Sequence, residues 1–518
     1  GTAAGARQGD TPRLSEPEFN LYYDTRLRIL RFDELENGDL IEIAYVLSET
    51  DEANETGPYN GGLIPLGRGF PVTLMEVELV APDAILPDWE VANLEGEPIR
   101  EEDDEGVVRL RWEWRNLPAI PTDVPAAPQL LVMPYLVYSN HPQWGDLADW
   151  YSRHVASRVR TSEQVEEIAQ RLVKGLDDRL DQINRLYRFV TIDIRYVGLE
   201  FGEHRYRPFS ADWVLHHRIG DCKDKAALLV ALLDVIGVPA KMVMIRTADL
   251  GPVSSDLAVL EVFNHAIVYL PEDDMWLDGT ASGHAPFPPP SMDQGAFVLV
   301  VDGSGSRPQF TPEVGAGTTE IRFALTPGGG SDVAITIETR DTGEAADLRR
   351  GRFAGSRDPQ RFARWLQELF PGAQLTADPT LQLVPGRDPT IVEIEGMVAR
   401  SALMSAGGVR LYPGNLAWAA RMVPGGVRHG PMKVMVRPDL RWVLEVELGR
   451  PPKTMPSAVD LNTPYGSLEV SPKELSSGYR VDGSLHLEAG VYDAEEVGGL
   501  REFLVTVERH LEKRLEAP

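Results

Sequence analysis

Cysteine is almost missing from this chain: Cys222 is the only one in 518 residues. An intramolecular disulfide is therefore impossible, and so is a multi-cysteine zinc site. Long apolar runs are missing as well. No stretch reaches the ~18–20 residues of a membrane-spanning helix, and no signal peptide is visible. Positive charge is in deficit, with 51 Lys and Arg against 79 Asp and Glu, a net charge of −28. That field repels polyphosphate and anionic lipid, which argues against nucleic acid as a partner. The plain reading of the acidity is a well-solvated surface.

What is present is turn-rich and globular. There are 40 prolines and 47 glycines, with 43% hydrophobic and 25% charged residues, the balance of a soluble multidomain protein. The chain opens Gly1-Thr2-Ala3-Ala4-Gly5-Ala6 without an initiator Met and reads as a flexible tail.

The pattern along the chain divides it into three. Residues 16–135 read as a β-rich N-terminal domain, truncated at its start. Its strand candidates are Leu27–Phe32, Leu40–Leu47, Val72–Val80 and Val107–Trp114. A proline-rich stretch over 117–135 reads as a semi-rigid connector. Residues 140–305 read as an α+β domain. Helices are predicted over Asp146–Arg160, Ser162–Lys174, Asp178–Val190 and Lys223–Ile236, the last stopped by Gly237. Strands are predicted at Ile192–Val197, Ala240–Arg246, Val262–Leu270 and Met275–Leu277. Residues 310–518 read as a β-rich C-terminal domain with internal helices at Gly343–Phe353 and Pro359–Phe370 and a terminal helix over Asp493–Leu515.

Chemistry concentrates in Gly220-Asp221-Cys222-Lys223-Asp224-Lys225. Gly220 and Asp221 form a turn that delivers Cys222 to the first turn of an apolar helix. A helix N-terminus carries partial positive charge and unpaired amides, which favour thiolate, the nucleophilic form. A thiol nucleophile needs a base, and the base needs an orienting group. Downstream, Phe263–Leu270, the turn Pro271–Asp274 and Met275–Asp278 read as a hairpin. In it His265 falls opposite or diagonal to Asp278 on one face. Each residue alone has an ordinary reading: a packed core thiol, a strand histidine, an Asp-Gly turn. The ordered set is far more specific. His216-His217 suits one metal poorly, because adjacent helical residues point apart. The segment His204–Arg207 reads as a solvated loop. No metal and no cofactor are expected.

These residues, with Ile194-Arg195-Tyr196-Val197-Gly198, Trp276-Leu277-Asp278-Gly279-Thr280 and Asp293-Gln294-Gly295, make the chain resemble bacterial transglutaminase-like proteins whose papain-like catalytic domain follows a β-rich domain of unknown function. The resemblance implies a multidomain α+β fold with Cys222 as nucleophile, His265 as general base and acid, and Asp278 as orienter. It implies acyl transfer, or amide or peptide hydrolysis, on a peptide or protein substrate, in the periplasm, cell envelope or outside the cell. A retired enzyme acting as a peptide-binding or scaffolding module is the alternative. For the oxyanion, the Cys222 N–H is one natural donor and Tyr196 the candidate for a second, though a core aromatic is its plainer role. Gly279 departs from the pattern, in which proline follows the triad Asp.

Overall fold

The computed structural model describes residues 7–8, 13–16, 20–26, 29–31, 36–46, 59–120, 123 and 127–515, apart from the short segments 201, 254, 283, 304, 354–358, 384–388 and 415–418. The architecture is multidomain and mixed: β-rich regions flank a core of helices packed on a sheet.

The first region is built on two antiparallel three-stranded sheets. Val72–Pro82, Val107–Leu117 and Ile99–Glu102 form one, and alternate residues of Val107–Leu117 turn inward, so Val108, Leu110, Trp112 and Trp114 are buried. The other pairs Gly61–Pro65 and Asp88–Ala92 on either side of Tyr135–Ser139. Two expectations are corrected here. Leu40–Leu47 is not a strand where described: residues 39–46 have no regular structure, with Leu40 93% and Val46 88% exposed. With no partner strand beside it among the described residues, β-propensity has nothing to act on. Leu27–Phe32 keeps only Leu30–Arg31 as strand; residues 27–28 and 32 lie outside the described residues. The proline-rich stretch is also no free connector. Leu130 and Met133 are buried, and the Asp123 carboxylate accepts the backbone N–H groups of His429 and Gly430, tying it to the third region.

In the middle region, helices Trp144–Ala156, Glu163–Val173 and Arg179–Arg188 surround the helix Cys222–Val235. Ser162 accepts the Val165 N–H and Asp178 accepts the Asp181 N–H, each capping its helix start. The Cys222 helix is buried on every side from Lys223 to Leu233, the pattern of a central helix rather than an amphipathic one. Four of its leucines, Leu228, Leu229, Leu232 and Leu233, have no exposure. Each stabilises the fold by about 1.5–3 kcal/mol. Against this helix lies a five-stranded sheet in the order Met275–Leu277, His265–Leu270, Lys241–Arg246, Phe297–Val300, Pro308–Phe310.

The predicted strand Ile192–Val197 shrinks to Arg195–Tyr196, because the chain before it winds on as a wide helical turn over Phe189–Asp193. Phe189, Val190 and Thr191 are buried there, so packing overrides the β preference of that run. The predicted strand Val262–Leu270 likewise begins only at His265, after a short helical turn at Leu260–Val262.

The third region is a nine-stranded sheet with helices on one face. Among the described residues its only parallel pairing joins Thr318–Pro327 to Asp439–Glu447. Gly343–Phe353, Pro359–Leu369 and Val497–Leu511 are helices as the periodicity predicts, the last four residues shorter at each end. The strands Val459–Thr463, Gly466–Leu475 and Gly478–Leu487 complete the sheet and went unread in the sequence.

Among the described residues no helix is long and apolar enough to cross a membrane.

Candidate active site

Cys222 is the first residue of the buried helix, and the preceding residues fix it there. Asp221 is the N-cap: one of its oxygens accepts the Lys223 and Asp224 N–H groups, while the Asp224 carboxylate accepts the Asp221 N–H at 3.1 Å. This reciprocal capping box satisfies donors that a helix start otherwise leaves open. Asp221 is thus more than the turn residue expected from the sequence. Gly220 is required for close approach rather than for an unusual turn. A Cβ there would sit 2.7 Å from the Asp224 Cβ, and Gly220 itself lies in a two-residue strand paired with Tyr196. That pairing puts Tyr196 beside the nucleophile turn, two residues from Cys222 in register.

The charges around the cap are buried and mutually compensated. Lys223 bridges to Asp221. Burial alone would lower the Lys223 pKa, but Asp221 outweighs it and holds the ammonium charged. Burial, then the Asp221 charge, push the Asp224 carboxyl up to about 7. Burial lowers Lys225 to about 8 against the pull of Asp278. Its ammonium donates to the Ile194 carbonyl at 2.9 Å, which anchors the strand leading to Tyr196.

His265 and Asp278 come from the hairpin. The hairpin register pairs Val268 with Leu277 and Leu270 with Met275. Continued one step, it places Asp278 opposite Ile267 and diagonal to His265, on the same face. Asn264 is clamped to Thr247 by two hydrogen bonds of 2.9 Å, which fixes the backbone entering His265. Thr280 donates both its N–H and its hydroxyl to Asp278 Oδ1, at 2.7 Å each. The second oxygen, Oδ2, then faces His265 Nε2 at 3.2 Å. The contact is close, yet no acceptor stands squarely in line with that ring nitrogen; catalytic hydrogen bonds are commonly loose before substrate arrives. The Asp-Gly-Thr segment is therefore both the ordinary turn and the holder of the carboxylate. Gly279 fits tightly: a Cβ there would lie 3.3 Å from the Lys225 Cβ.

The Cys222 thiol is also among the groups that act on the imidazole. Burial would lower the His265 pKa, but the adjacent Asp278 carboxylate and the Cys222 thiol outweigh it and raise it well above the ordinary imidazole range. Burial opposes ionisation of Asp278, yet His265 and Thr280 hold it below the usual carboxylate range. Exposure falls along the row: Cys222 is half-buried, the His265 side chain is 10% exposed and Asp278 2%. Cys222 and His265 are thus partly open to solvent, and Asp278 is not.

Asp293 went unassigned in the sequence beyond its place in a resembling segment. One donor atom each from His265, Asp278 and Asp293 lies within 4.8 Å of the others. Among the described residues this is the grouping of His and carboxylate atoms tight enough to consider for a cation. Other histidines are occupied elsewhere. His204, Phe209, Trp213 and His217 form a ladder of stacked rings with centroid spacings of 3.7, 4.0 and 4.1 Å. Two cavities, of about 520 and 690 Å³, lie on the large sheet of the third region rather than at Cys222.

A helix-borne thiol set against a strand-borne imidazole and carboxylate is the arrangement of the papain-like and transglutaminase-like folds. Residues 166–278 match the Transglutaminase-like superfamily, and residues 7–121 match the domain of unknown function DUF3857. The chain thus carries a transglutaminase-like domain behind a DUF3857 domain. Its fold is similar to the crystal structure of a "putative protease" from Parabacteroides distasonis, with a TM-score of 0.58 at 14% identity over 88% of this chain and 75% of that one. A "putative cysteine protease" from Cytophaga hutchinsonii aligns over 43% of this chain and 79% of its own at 14% identity and a TM-score of 0.21. No curated protein matches.

Proposed function

We propose that this protein is a thiol-dependent hydrolase or acyltransferase that cleaves amide or peptide bonds through a thioester at Cys222. The observation that supports the reading is the buried contact of His265 with the Asp278 carboxylate, 3.2 Å apart, together with the influence of the Cys222 thiol on the same imidazole. Cys222 attacks the substrate carbonyl, forming the C–S bond. The oxyanion meets the Cys222 N–H, the first unpaired amide of the helix, with Tyr196 beside it as a second candidate donor. Protonated His265 gives its proton to the departing amine as the C–N bond breaks. Neutral His265 then takes a proton from water, which attacks the thioester and releases the acid. An amine in place of water makes the same thioester an acyl donor. Asp278 keeps the imidazole in the tautomer that carries the proton on Nε2 and stabilises its charge. The name of the similar Parabacteroides distasonis structure, a "putative protease", favours water as acceptor and a peptide as substrate. Cys222 is nucleophile, His265 base and acid, and Asp278 orienter.

The test is acid quenching of the protein with a complex peptide mixture, followed by intact-mass analysis. The expected result is a hydroxylamine-sensitive acyl adduct on Cys222 and new peptide termini, both lost in Cys222→Ala. A labelled primary amine in the same mixture separates hydrolysis from transamidation. Absence of both adduct and cleavage, with native Cys222 inert, supports the binding-module alternative instead.

A further inference from the structure

Asp293 is fully buried, and neither of its carboxylate oxygens receives a hydrogen bond from any donor of the described structure. It is not misplaced by a loose loop. It ends the short turn Ser291–Asp293, its N–H donates to the Pro290 carbonyl at 2.9 Å, and its own carbonyl accepts the Thr311 hydroxyl. The next residue, Gln294, donates to the carbonyls of Pro289 and Gly315, at 2.8 and 3.0 Å. The chain holds this carboxyl rigidly against His265 and Asp278.

A carboxylate buried without donors is strongly disfavoured over the neutral acid. Two carboxylates sharing a dry site do not both ionise. Between the two, Asp278 is the one kept anionic, because it has both Thr280 donors and His265. Asp293 has no such support. As a carboxylic acid it owns an O–H donor, and Asp278 is an acceptor beside it.

Resting on the thiol-enzyme reading above, we propose that Asp293 is a positioning residue that stands behind the triad as a neutral carboxylic acid and donates its hydrogen bond to Asp278. The row becomes Cys222–His265–Asp278–Asp293. The surroundings fit. Burial first, then the Asp278 charge, raise Asp293 well above the ordinary carboxylate range, with His265 opposing and Asp249 adding to the rise. The titratable groups facing it are Asp278, His265, Asp249 from the packed turn Ala248–Leu250, and the buried Tyr187 hydroxyl, with Lys225 acting on Asp278 from the helix. By drawing off part of the Asp278 charge, the acid limits how tightly the imidazolium proton is held. It also keeps Asp278 from turning away from the ring.

The experiment is the pH profile of iodoacetamide labelling of the full chain, whose sole thiol is Cys222. A thiolate paired with an imidazolium gains reactivity when the imidazolium loses its proton, so the upper inflection reports His265. If Asp293 is a neutral donor, Asp293→Leu leaves Asp278 with its full charge and moves that inflection up by about one pH unit. Asp293→Asn keeps an N–H donor and leaves it in place. If Asp293 is an anion, both variants remove negative charge and move the inflection down, which overturns the proposal; so does an unmoved inflection in Asp293→Leu. A wild-type profile with no second inflection is a failure of the thiol-enzyme reading instead. In that case, or if Asp293→Leu does not fold, the infrared difference between wild type and Asp293→Asn at pH 8 still decides. A carboxylic-acid carbonyl band lost in the variant is expected, and its absence in wild type overturns the proposal. So does a stoichiometric divalent metal that is bound by wild type and released by Asp293→Asn, since the cation would hold the place of the proton.

Discussion

The middle and third regions bury charge very differently. Among the described residues, nine Asp, Lys, Arg and His side chains are buried between residues 140 and 305, including Asp221, Lys223, Asp224, Lys225, Asp278 and Asp293. Between 310 and 518 only Asp341 and Arg350 are, among the described residues. The large sheet keeps its core apolar and sets its charges on the surface, as in the Arg480, Asp482 and Glu445 group. Buried charge is costly and does little for stability that well-packed apolar groups would not do. Its accumulation around the start of one helix therefore marks where chemistry has displaced packing as the constraint. The large sheet teaches the complement: it carries cavities of about 520 and 690 Å³ but no comparable accumulation of buried charge.

Substitutions at the row break this contrast most sharply. Cys222→Ala and His265→Ala should each lower turnover by about 10⁴-fold or more, and the double variant by little beyond either, since such groups act as a unit. Additive losses in single-turnover assays would show that the two residues act independently. Asp278→Asn should cost turnover about 10⁴-fold, through the wrong imidazole tautomer, while leaving the fold intact by circular dichroism.

The next effect is on stability. His265 has its pKa raised on folding, so the stability it contributes is fully present below the unfolded value near 6.5 and is lost as pH rises through its raised folded value. Asp278, lowered, contributes above its unfolded value near 3.8 and loses that as pH falls through its folded value. The melting-temperature gap between wild type and His265→Ala should be widest between these limits and narrow in alkali. A gap that widens with rising pH contradicts the sign. Gly220→Ala forces a Cβ toward Asp224 and should cost about 1–3 kcal/mol by denaturant titration; an unchanged midpoint would mean the cap can give way freely. The smallest effect belongs to the large sheet. Arg480→Ala removes a half-exposed ion pair and should change stability by less than ~1 kcal/mol, with Cys222 labelling unchanged.

Much of this was legible beforehand, for local reasons. Cys222 sits where a helix start is written into Gly220-Asp221, and the register of His265 and Asp278 follows from a four-residue turn. The helices Gly343–Phe353 and Glu163–Val173 follow from periodicity and caps. What stayed hidden depends on partners distant in sequence. Leu40–Leu47 has strand composition, but residues 40–46 pair with no strand among the described residues. The run Val190-Thr191-Ile192 is β-branched, but packs as a helical turn beside the Cys222 helix. Asp293 lies 15 residues past Asp278 in a proline-rich turn, and nothing local says that the turn folds back onto the row. An acid followed by Gln and Gly beyond the triad was the available signal.

The most direct test of the central claim, that Cys222 is a nucleophile activated by His265, is the rate of iodoacetamide labelling at pH 6 in native wild type, native His265→Ala and the urea-unfolded chain. The account predicts that native wild type labels at least about tenfold faster than the unfolded chain and that His265→Ala loses the advantage. Native labelling no faster than that of the unfolded chain, or an advantage that survives His265→Ala, would contradict it.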